Sequence, residues 1–557
     1  MTGKSAFILD GYVDEPACLG VPPYISPYVR TVAGTLFAHG YSAGYLTIDQ
    51  VRKDPALIHR MHAADLVVMI AGVTVPGKYL GGTPATLTEI RLIGTQIRGP
   101  EKLLAGPIGF GYSSGGGQRA VKDAVSGFGH LLTGSPASAL DSFLREGKTH
   151  GSFNYRREDP WAVAGAAIIR DHPSFPWVMC EIETARGCSR AHSGGCSFCT
   201  EPFYGPPAFR SIDGVAAEID ALHRAGGLHF RLGRQPDILV YGSSTAEEYP
   251  TPVPGRLEEL FSAVREAAPD LLTLHIDNAN PGTIARHPEE SRAALDAIVA
   301  YHTPGDVAAF GMETADPAVI AENNLKAGPD QVMDAIRIVN EAGGRREDGI
   351  PELLPGLNFI AGLAGETPLT FDLDREFLAA VLASGYLVRR VNIRQLMPFE
   401  GTRAFSENAL GVHKGLFAKF KDLVRKEFDL PMLAKVFPTG TILRSVVMEE
   451  EGATSFGRQM GSYPILVGIP LRVPQRTLLD TVVVDHGMRS LTGLPVPIEV
   501  NLLPVATLAW VPGVGRKRAG QIAAKRPFSN LAEFRAVAGP TPVDPCLSFS
   551  FKSPSAR

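Results

Sequence analysis

The residues best suited to chemistry lie between 183 and 199. There the chain reads Glu183-Thr184-Ala185-Arg186-Gly187-Cys188, then seven residues, then Cys196, two residues and Cys199. Three thiolates on a short, bendable loop are soft ligands of the kind an iron–sulfur cluster needs. A [4Fe–4S] cluster held by three cysteines keeps one iron without a protein ligand, and a small molecule with an amine and a carboxylate can chelate it. Gly187, Gly194 and Gly195 let the backbone wrap closely. Phe198, between the last two cysteines, offers an apolar ring that shields a cluster from water. The alternative is zinc, with His192 or Cys180 as the fourth ligand. Cys180 falls on an expected strand, where a core position suits it better.

Bulk properties narrow the setting. The chain has 557 residues, 45% hydrophobic and 20% charged, with net charge −4. That length predicts about three or four domains. Six cysteines in so long a chain exclude a disulfide scaffold. The N-terminus has no signal-peptide apolar core, and no apolar run approaches the roughly 20 residues of a membrane span, so the expectation is a soluble cytoplasmic protein without a membrane partner. Charge is uneven: residues 504–557 carry +6 and the preceding 503 carry −10, which suggests a local anionic partner.

The elements that must carry the cysteine loop follow from the apolar pattern. Residues 1–150 alternate strands (Phe7–Leu9, Tyr45–Ile48, Leu66–Ile70, Leu103–Phe110) with helices (from Pro27 to Gly40, and Thr86–Ile97), which predicts a doubly wound parallel sheet. Its strand ends, where such sheets bind ligands, are Asp10-Gly11, Ala71 to Thr74 and Gly109-Phe110-Gly111. Residues 151–175 read as a connector. A second series spans 176–405, with strands at Trp177–Glu183, Phe230–Leu232, Leu272–Ile276, Ala308–Met312, Leu357–Ile360 and Val391–Leu396. Six β/α units predict a partial (β/α)6 barrel, with reactive groups on the loops after the strands. Helix is expected from about 406 to 435. Residues 437–500 carry β-rich runs and predict a small antiparallel barrel, and 501–540 are helical again around Pro512-Gly513-Val514-Gly515.

The loop, its place after the first barrel strand and Phe198 before the third cysteine resemble the radical S-adenosylmethionine (SAM) superfamily. That family's usual spacing is three residues, then two; here it is seven, then two. The later strand ends carry the resemblance further. Gly311-Met312-Glu313-Thr314 resembles the fourth-strand segment whose acid contacts SAM. Ile360-Ala361-Gly362-Leu363-Ala364-Gly365-Glu366-Thr367 resembles the fifth-strand pattern beside the adenine, with Ala364 in place of Pro. Gln395-Leu396-Met397-Pro398 resembles the sixth-strand exit. The resemblance implies Cys188, Cys196 and Cys199 as cluster ligands and Glu313, Ile360, Gly362 and Gln395 as SAM-binding residues. After the second strand the family often has Gly-Gly-Glu for the SAM amino group; this chain has Gly233-Arg234-Gln235-Pro236-Asp237, and the sequence does not say which residue takes that part. It names no catalytic residue either.

The flanking segments resemble modules found around such barrels. Pro22-Pro23, Ser26-Pro27 and Ala64-Asp65-Leu66-Val67-Val68-Met69-Ile70 resemble cobalamin-binding domains, although no Asp-x-His-x-x-Gly supplies an axial histidine. The segment from Ser455 through Arg458 and Tyr463 resembles a TRAM-type RNA-binding barrel, with Arg458 as a phosphate contact and Tyr463 as a stacking face. Pro512-Gly513-Val514-Gly515-Arg516-Lys517-Arg518 resembles a helix-hairpin-helix, whose glycines form a tight turn and whose next helix start holds a phosphate. Together these imply an enzyme using a [4Fe–4S] cluster, SAM and in some members cobalamin, fed by an electron donor such as a ferredoxin or flavodoxin. The implied reaction is methylation or methylthiolation of a nucleic acid, RNA rather than DNA, through Gly513, Gly515, Arg516, Lys517 and Arg518. Two alternatives remain: a methylase of a small molecule or protein, and a non-enzymatic iron–sulfur protein that binds nucleic acid.

Overall fold

The structure, a computed structural model, describes all residues except 1–2, 16–17, 73–81, 114, 123–125, 348 and 551–557. Positions 73 and 74 of the second expected strand end therefore lie outside the described residues.

The first sheet is all parallel. Strands β1 (Lys4–Asp10), β2 (Tyr41–Thr47), β3 (Leu66–Ile70), β4 (Glu101–Ala105) and β5 (His130–Leu131) lie in the order β2-β1-β3-β4-β5. Helix α1 (Pro27–Ala38) packs on one face, with Ile8, Val68 and Ile70; helix α2 (Leu87–Gln96) packs on the other, with Leu9, Val67 and Met69. β3 is buried along its whole length, as a central strand covered on both faces must be. The fourth strand is shorter than its apolar run predicts. Gly106, at φ 104°, turns the chain out of the sheet, and Pro107–Phe110 forms a 3-10 turn. The expected connector holds helix α3 (Tyr155–Ala164) and a 3-10 turn at Ala166–Asp171. α3 meets α1 backbone to backbone. A Cβ on Gly34 would fall 1.8 Å from the Trp161 carbonyl oxygen, and one on Gly165 would fall 1.9 Å from that of Arg30.

The second series is a curved, open barrel of parallel strands: β6 (Met179–Glu183), β7 (His229–Gly233), β8 (Thr273–Ile276), β9 (Asp306–Glu313), β10 (Leu353–Ala361) and β11 (Arg390–Gln395). They form the sheets β8-β7-β6 and β9-β10-β11, joined by a single bridge between Asn278 and Ala309. The outer edge of β6 pairs with the short strand Tyr24–Ile25 from the first domain, so the barrel stays open between β6 and β11.

Beyond a helical stretch at Lys414–Val436, interrupted by a π turn, five strands close a small barrel. They are β12 (Ile442–Glu450), β13 (Ser455–Arg458), β14 (Leu466–Ile469), β15 (Leu478–His486) and β16 (Ser490–Pro495), in the order β12-β13-β14-β16-β15. Sequence pattern marks β12, β14 and β15; β13 and β16 are broken by Gly457 and Gly493 and give no apolar run. The turn between β13 and β14 plugs into the large barrel. The Tyr24 hydroxyl donates to the Gly461 carbonyl (2.6 Å), the Ser462 amide donates to His275 Nδ1 (2.8 Å), and the Tyr463 hydroxyl donates to Asp277 Oδ1 (2.5 Å). The last helices, including α4 (Gly515–Lys525) and Leu531–Ala538, share a core with the small barrel through Val482, Leu494, Ile522 and Phe534. Among the described residues no helix is long and apolar enough to cross a membrane.

A buried charge network ties the first domain to the large barrel. Arg30 of α1 donates to Glu218 (2.8 Å) and to the carbonyls of Ile25 (3.2 Å) and Glu181 (2.5 Å), while Arg210 donates to the other oxygen of Glu218 (2.5 Å) and to Asp159 (2.7 Å). Burial pushes the Glu218 carboxyl up, but the two guanidiniums outweigh it and hold it below the usual range. Breaking a buried pair leaves a charge uncompensated and costs about 3–5 kcal/mol. Arg30→Ala is expected to lower the stability of the domain pair by that order, read as a shift in the urea midpoint followed by circular dichroism. An unchanged midpoint would show that the network does not fasten the domains.

Candidate active site

β6 delivers the chain to the barrel mouth at Glu183. Ala185–Arg186 then pairs antiparallel with Ala208–Phe209 and closes residues 187–207 into a loop. Gly187, at φ 92°, sits so close to the returning strand that a Cβ would lie 2.6 Å from the carbonyl oxygens of Gly205 and Pro206. The wide first spacing is taken up by a 3-10 turn at Ser189–Ser193, which ends on Gly194 in the left-handed region (φ 82°). Arg190 fastens this turn. It donates to the Asn324 carbonyl (2.8 Å) and side chain (2.9 Å), to Glu248 (3.0 Å) and to Cys196 Sγ (3.1 Å). Ser197 Oγ donates to Asn323 Oδ1 (2.7 Å), and Asn324 Nδ2 donates to the Gly195 carbonyl (3.0 Å). The cysteine loop is thus clamped onto the segment that follows β9.

The other side of the loop is held by β7. Glu201 accepts from the Gly187 amide (2.9 Å) and from Arg234 (2.9 Å), just after β7. Arg234 is fully buried, with φ 51°, and also pairs with Glu15 of the first domain (3.3 Å). Arg234 therefore anchors the loop from the segment just after β7.

Two cavities meet at the thiols. Cys188, Cys196 and Cys199 line one of about 60 Å³ with Asp237, Asn280 and Lys326. Cys196, Cys199 and Lys326 also line a second of about 200 Å³, which holds Phe198, Glu313, Ile360 and Gln395 and extends to Phe110 of the first domain. The structure brings together the three cysteines and three of the four expected SAM-binding residues. Gly362 borders neither cavity. It is a turn residue at φ 95°, with its amide donating to Glu366 (2.6 Å) and a prospective Cβ facing Leu410.

Burial raises all three thiols, Cys188 to about 11. Lys326 opposes this at Cys188 and Cys196. Burial lowers the Lys326 ammonium, but the surrounding thiols and Glu313 raise it further and keep it charged. Glu313, at φ 67°, is buried; burial lifts its carboxyl to about 7 against the pull of Lys326 and Arg394. Its Oε2 has no hydrogen-bond partner. A Cβ at Gly311 would lie 2.3 Å from Glu313 Oε1 and 2.6 Å from Lys326 Nζ, so glycine is what admits both groups to the cavity. Three thiols, an adjacent cation and an unpartnered buried carboxylate oxygen form a donor set for a thiolate-ligated cluster and a cationic ligand beside it.

The zinc alternative loses both candidate fourth ligands. Cys180 is part of the main core, and His192 Nε2 lies 2.8 Å from the Thr245 carbonyl. Among the described residues no three His, Cys, Asp or Glu converge on a single-ion position, Cys188, Cys196 and Cys199 included; these three meet as lining of the cavities. Arg458 and Tyr463 are also engaged within the protein. Arg458 pairs with Glu449 (2.8 Å), and the Tyr463 ring lies 3.5 Å under the Arg390 guanidinium. At the C-terminal hairpin Gly513 (φ 80°) and Gly515 (φ 61°) face open space, with Arg516 and Lys517 exposed at the start of α4. Arg518 instead donates to the Gly513 carbonyl (2.8 Å) and braces the turn. Sequence reasoning misses Arg190, Glu201, Asn323, Asn324 and Lys326. For Asn323, Asn324 and Lys326 the one signal is a polar cluster soon after a strand end; Arg190 and Glu201 lie in and beside the cysteine loop itself.

No protein-family model matches the chain. Its fold is similar to that of a solved radical SAM methyltransferase. TsrM from Kitasatospora setae, solved with cobalamin and a [4Fe–4S] cluster bound, superposes with TM-score 0.51 at 16% identity over 72% of this chain and 74% of that one. The TsrM structure with tryptophan substrate and the SAM analogue aza-SAM gives 0.50 at 17%. Within that fold the chain belongs to a family with archaeal members. An uncharacterized protein of Archaeoglobus fulgidus is 41% identical over 96% of this chain and 97% of its own length, and MJ0274 of Methanocaldococcus jannaschii is 43% identical over 88% and 93%. The ribosomal protein uS12 methylthiotransferase RimO of Cupriavidus taiwanensis is 26% identical over 57% of this chain and 62% of its own length.

Glu313 makes the pH behaviour of the cluster-free protein testable. The folded carboxyl keeps its proton up to about pH 7, whereas the unfolded one releases it near 4.5. Between those values the native state binds more protons, so its stability falls as pH rises, by about 3 kcal/mol in total. Asp10, Glu181 and Asp374 are raised in the same way, so Glu313→Gln is expected to make the decline shallower by about that amount and not to remove it, measured by urea unfolding across the pH range. Parallel curves for wild type and variant would contradict the burial of this carboxyl.

Proposed function

We propose that the protein is a radical SAM enzyme that methylates a nucleic acid, RNA rather than DNA. The observation that carries the reading is the convergence of Cys188, Cys196 and Cys199 with Lys326 and the unpartnered Glu313 Oε2 on adjoining cavities at the strand ends. Cys188, Cys196 and Cys199 would hold the cluster, and Glu313, Ile360 and Gln395 would contact SAM. When bound and reduced, the cluster supplies the electron that splits the SAM sulfonium bond, giving methionine and a 5′-deoxyadenosyl radical. The chain's own residues do the rest: Arg190 and Glu201 hold the loop, Lys326 offsets thiolate charge, and Phe198 and Ile360 keep the cavity apolar. Alanine at any one of the three cysteines is expected to abolish 5′-deoxyadenosine formation by anaerobically reconstituted protein. Stoichiometric zinc without iron in the purified protein would sink this reading.

Because TsrM, to whose fold this chain is similar, was solved with cobalamin bound, we look for the methyl carrier to the first domain. It brings Glu15 and Phe110 to the cysteine cavity, so a corrinoid over its strand ends would face the cluster loop. The cavity, about 200 Å³, is below the usual range for a large cofactor, so loading requires the turn at residues 117–120 to move; the Gly117 and Ala120 amides now donate to the Leu396 and Pro398 carbonyls. Hydroxocobalamin retained through gel filtration would support this role, and folded protein that retains none would reject it.

The nucleic-acid target is supported by the exposed hairpin and the +6 charge of residues 504–557. Backbone N–H groups at the start of α4 offer directed hydrogen bonds, and Arg516 and Lys517 add a sequence-independent attraction. Replacing Arg516 and Lys517 with Ala is expected to weaken RNA binding and to flatten its salt dependence by about 0.7 log units for each phosphate no longer neutralised. Equal affinity of variant and wild type at two salt concentrations would remove the hairpin from the binding surface.

A further inference from the structure

Most buried arginines in this protein are matched by carboxylates. Arg30 meets Glu218, Arg231 meets Glu181 and Asp277, and Arg234 meets Glu201 and Glu15. One region breaks the pattern. A groove of about 860 Å³ runs between β11, the helical stretch after Lys414 and the small barrel. Arg390 and Arg394 enter it from β11, and Arg489 enters it from the turn between β15 and β16. None of these three has a carboxylate within ion-pair distance among the described residues. Arg390 stacks on the Tyr463 ring at 3.5 Å, and its Nε is sealed from solvent without a hydrogen-bond partner. Burial depresses its basicity, and the neighbouring Arg394 and Arg489 act in the same direction.

The acids along the groove do not balance this. Glu15 is engaged by Arg234 and the Tyr28 hydroxyl (2.7 Å), and Asp277 by Arg231 and the Tyr463 hydroxyl (2.5 Å). Arg425 is likewise taken by Asp422 (3.3 Å), so Asp14 and Asp429 are the acids that line the groove with Arg390, Arg394 and Arg489. Like charges held together around an unpartnered, partly desolvated guanidinium are destabilising in the free protein and become favourable once an anion sits between them. The groove is also continuous with the reaction site, because Arg390, Arg394 and Tyr463 line both it and the cavity that holds Cys196, Cys199 and Glu313.

We infer that this groove binds the phosphate groups of the substrate, with Arg390, Arg394 and Arg489 as the contacts, and seats a nucleic-acid strand so that one nucleotide enters the cysteine cavity. The inference rests on the radical SAM reading above and names a second anion-binding surface, separate from the C-terminal hairpin. Arg390 and Arg394 sit nearest the cavity and hold the phosphate flanking the nucleotide to be modified. Arg489 extends the path along the small barrel.

The test uses full-length, cluster-reconstituted protein carrying Arg516→Ala and Lys517→Ala, so that the hairpin contributes little. A fluorescent single-stranded RNA oligonucleotide is titrated at two salt concentrations, with AMP and inorganic phosphate as competitors. Adding Arg394→Gln and Arg489→Glu is expected to weaken RNA binding about tenfold and to reduce the salt slope by about 0.7 for each phosphate released from the groove. Arg489→Lys is expected to retain the affinity, which guards against a misfolded variant, and thermal melting checks each fold. RNA binding that is unmoved by the charge-removing substitutions would overturn the site. Binding of AMP or phosphate, but not RNA, would overturn the strand assignment and identify a phosphorylated small molecule instead. Binding is read without turnover, so failure of the wild type to cleave SAM would count against the radical SAM reading alone.

Discussion

Lys326 is the charge around which the barrel mouth is organised. Three thiols and a carboxylate are enclosed together, and burial alone would keep all of them protonated. A thiolate is needed to ligate iron, so the site must lower the penalty of charging sulfur in a partly dry cavity. One ammonium beside all the thiols does this, and Arg190 on Cys196 Sγ adds a second cation. Gly311 is part of the same arrangement, because any side chain there would displace Lys326 Nζ and Glu313 from the cavity. Under the proposed function, release of protons from the three thiols would be coupled to cluster loading, and the loop is held in place by hydrogen bonds from the protein itself.

Those hydrogen bonds make the whole molecule a support for one loop. Arg190 joins it to the segment after β9, and Glu201 with Arg234 joins it to β7 and to the first domain. Arg30 and Glu218 lock the first domain against the barrel wall. From the other side Tyr463 reaches into the barrel and meets the Arg231–Asp277 pair. The first domain and the small barrel therefore each contribute a buried polar contact to the large barrel. Such networks stabilise little over a well-packed apolar core, but they fix geometry, because a displaced member leaves a buried charge unpaired.

The parts of this that sequence reveals are the local ones. Cys188, Cys196 and Cys199 share one loop, and Glu313, Ile360 and Gln395 sit at the ends of apolar runs, in segments marked by their resemblance to the radical SAM superfamily. Gly362 shows the limit of that resemblance: it lies in the right stretch but shapes a turn instead of a cavity. Lys326, Asn323 and Asn324 act on residues more than a hundred positions earlier, and an ordinary polar run gives no hint of that contact. Arg458 and Tyr463 are legible as a cation and an aromatic ring, but their partners, Glu449 and Asp277, come from a neighbouring strand and another domain. The small-barrel strands interrupted by Gly457 and Gly493 are invisible in sequence because their burial is set by barrel closure, not by an apolar repeat.

The central claim is that three thiols of this loop hold a [4Fe–4S] cluster with one iron open to SAM. Electron paramagnetic resonance of the reduced, reconstituted protein tests it most directly. The account predicts the signal of a reduced [4Fe–4S] cluster that changes shape when SAM is added, and that keeps its original shape with SAM when Glu313 is replaced by Gln. A reduced cluster whose signal is indifferent to SAM in the wild type would contradict it.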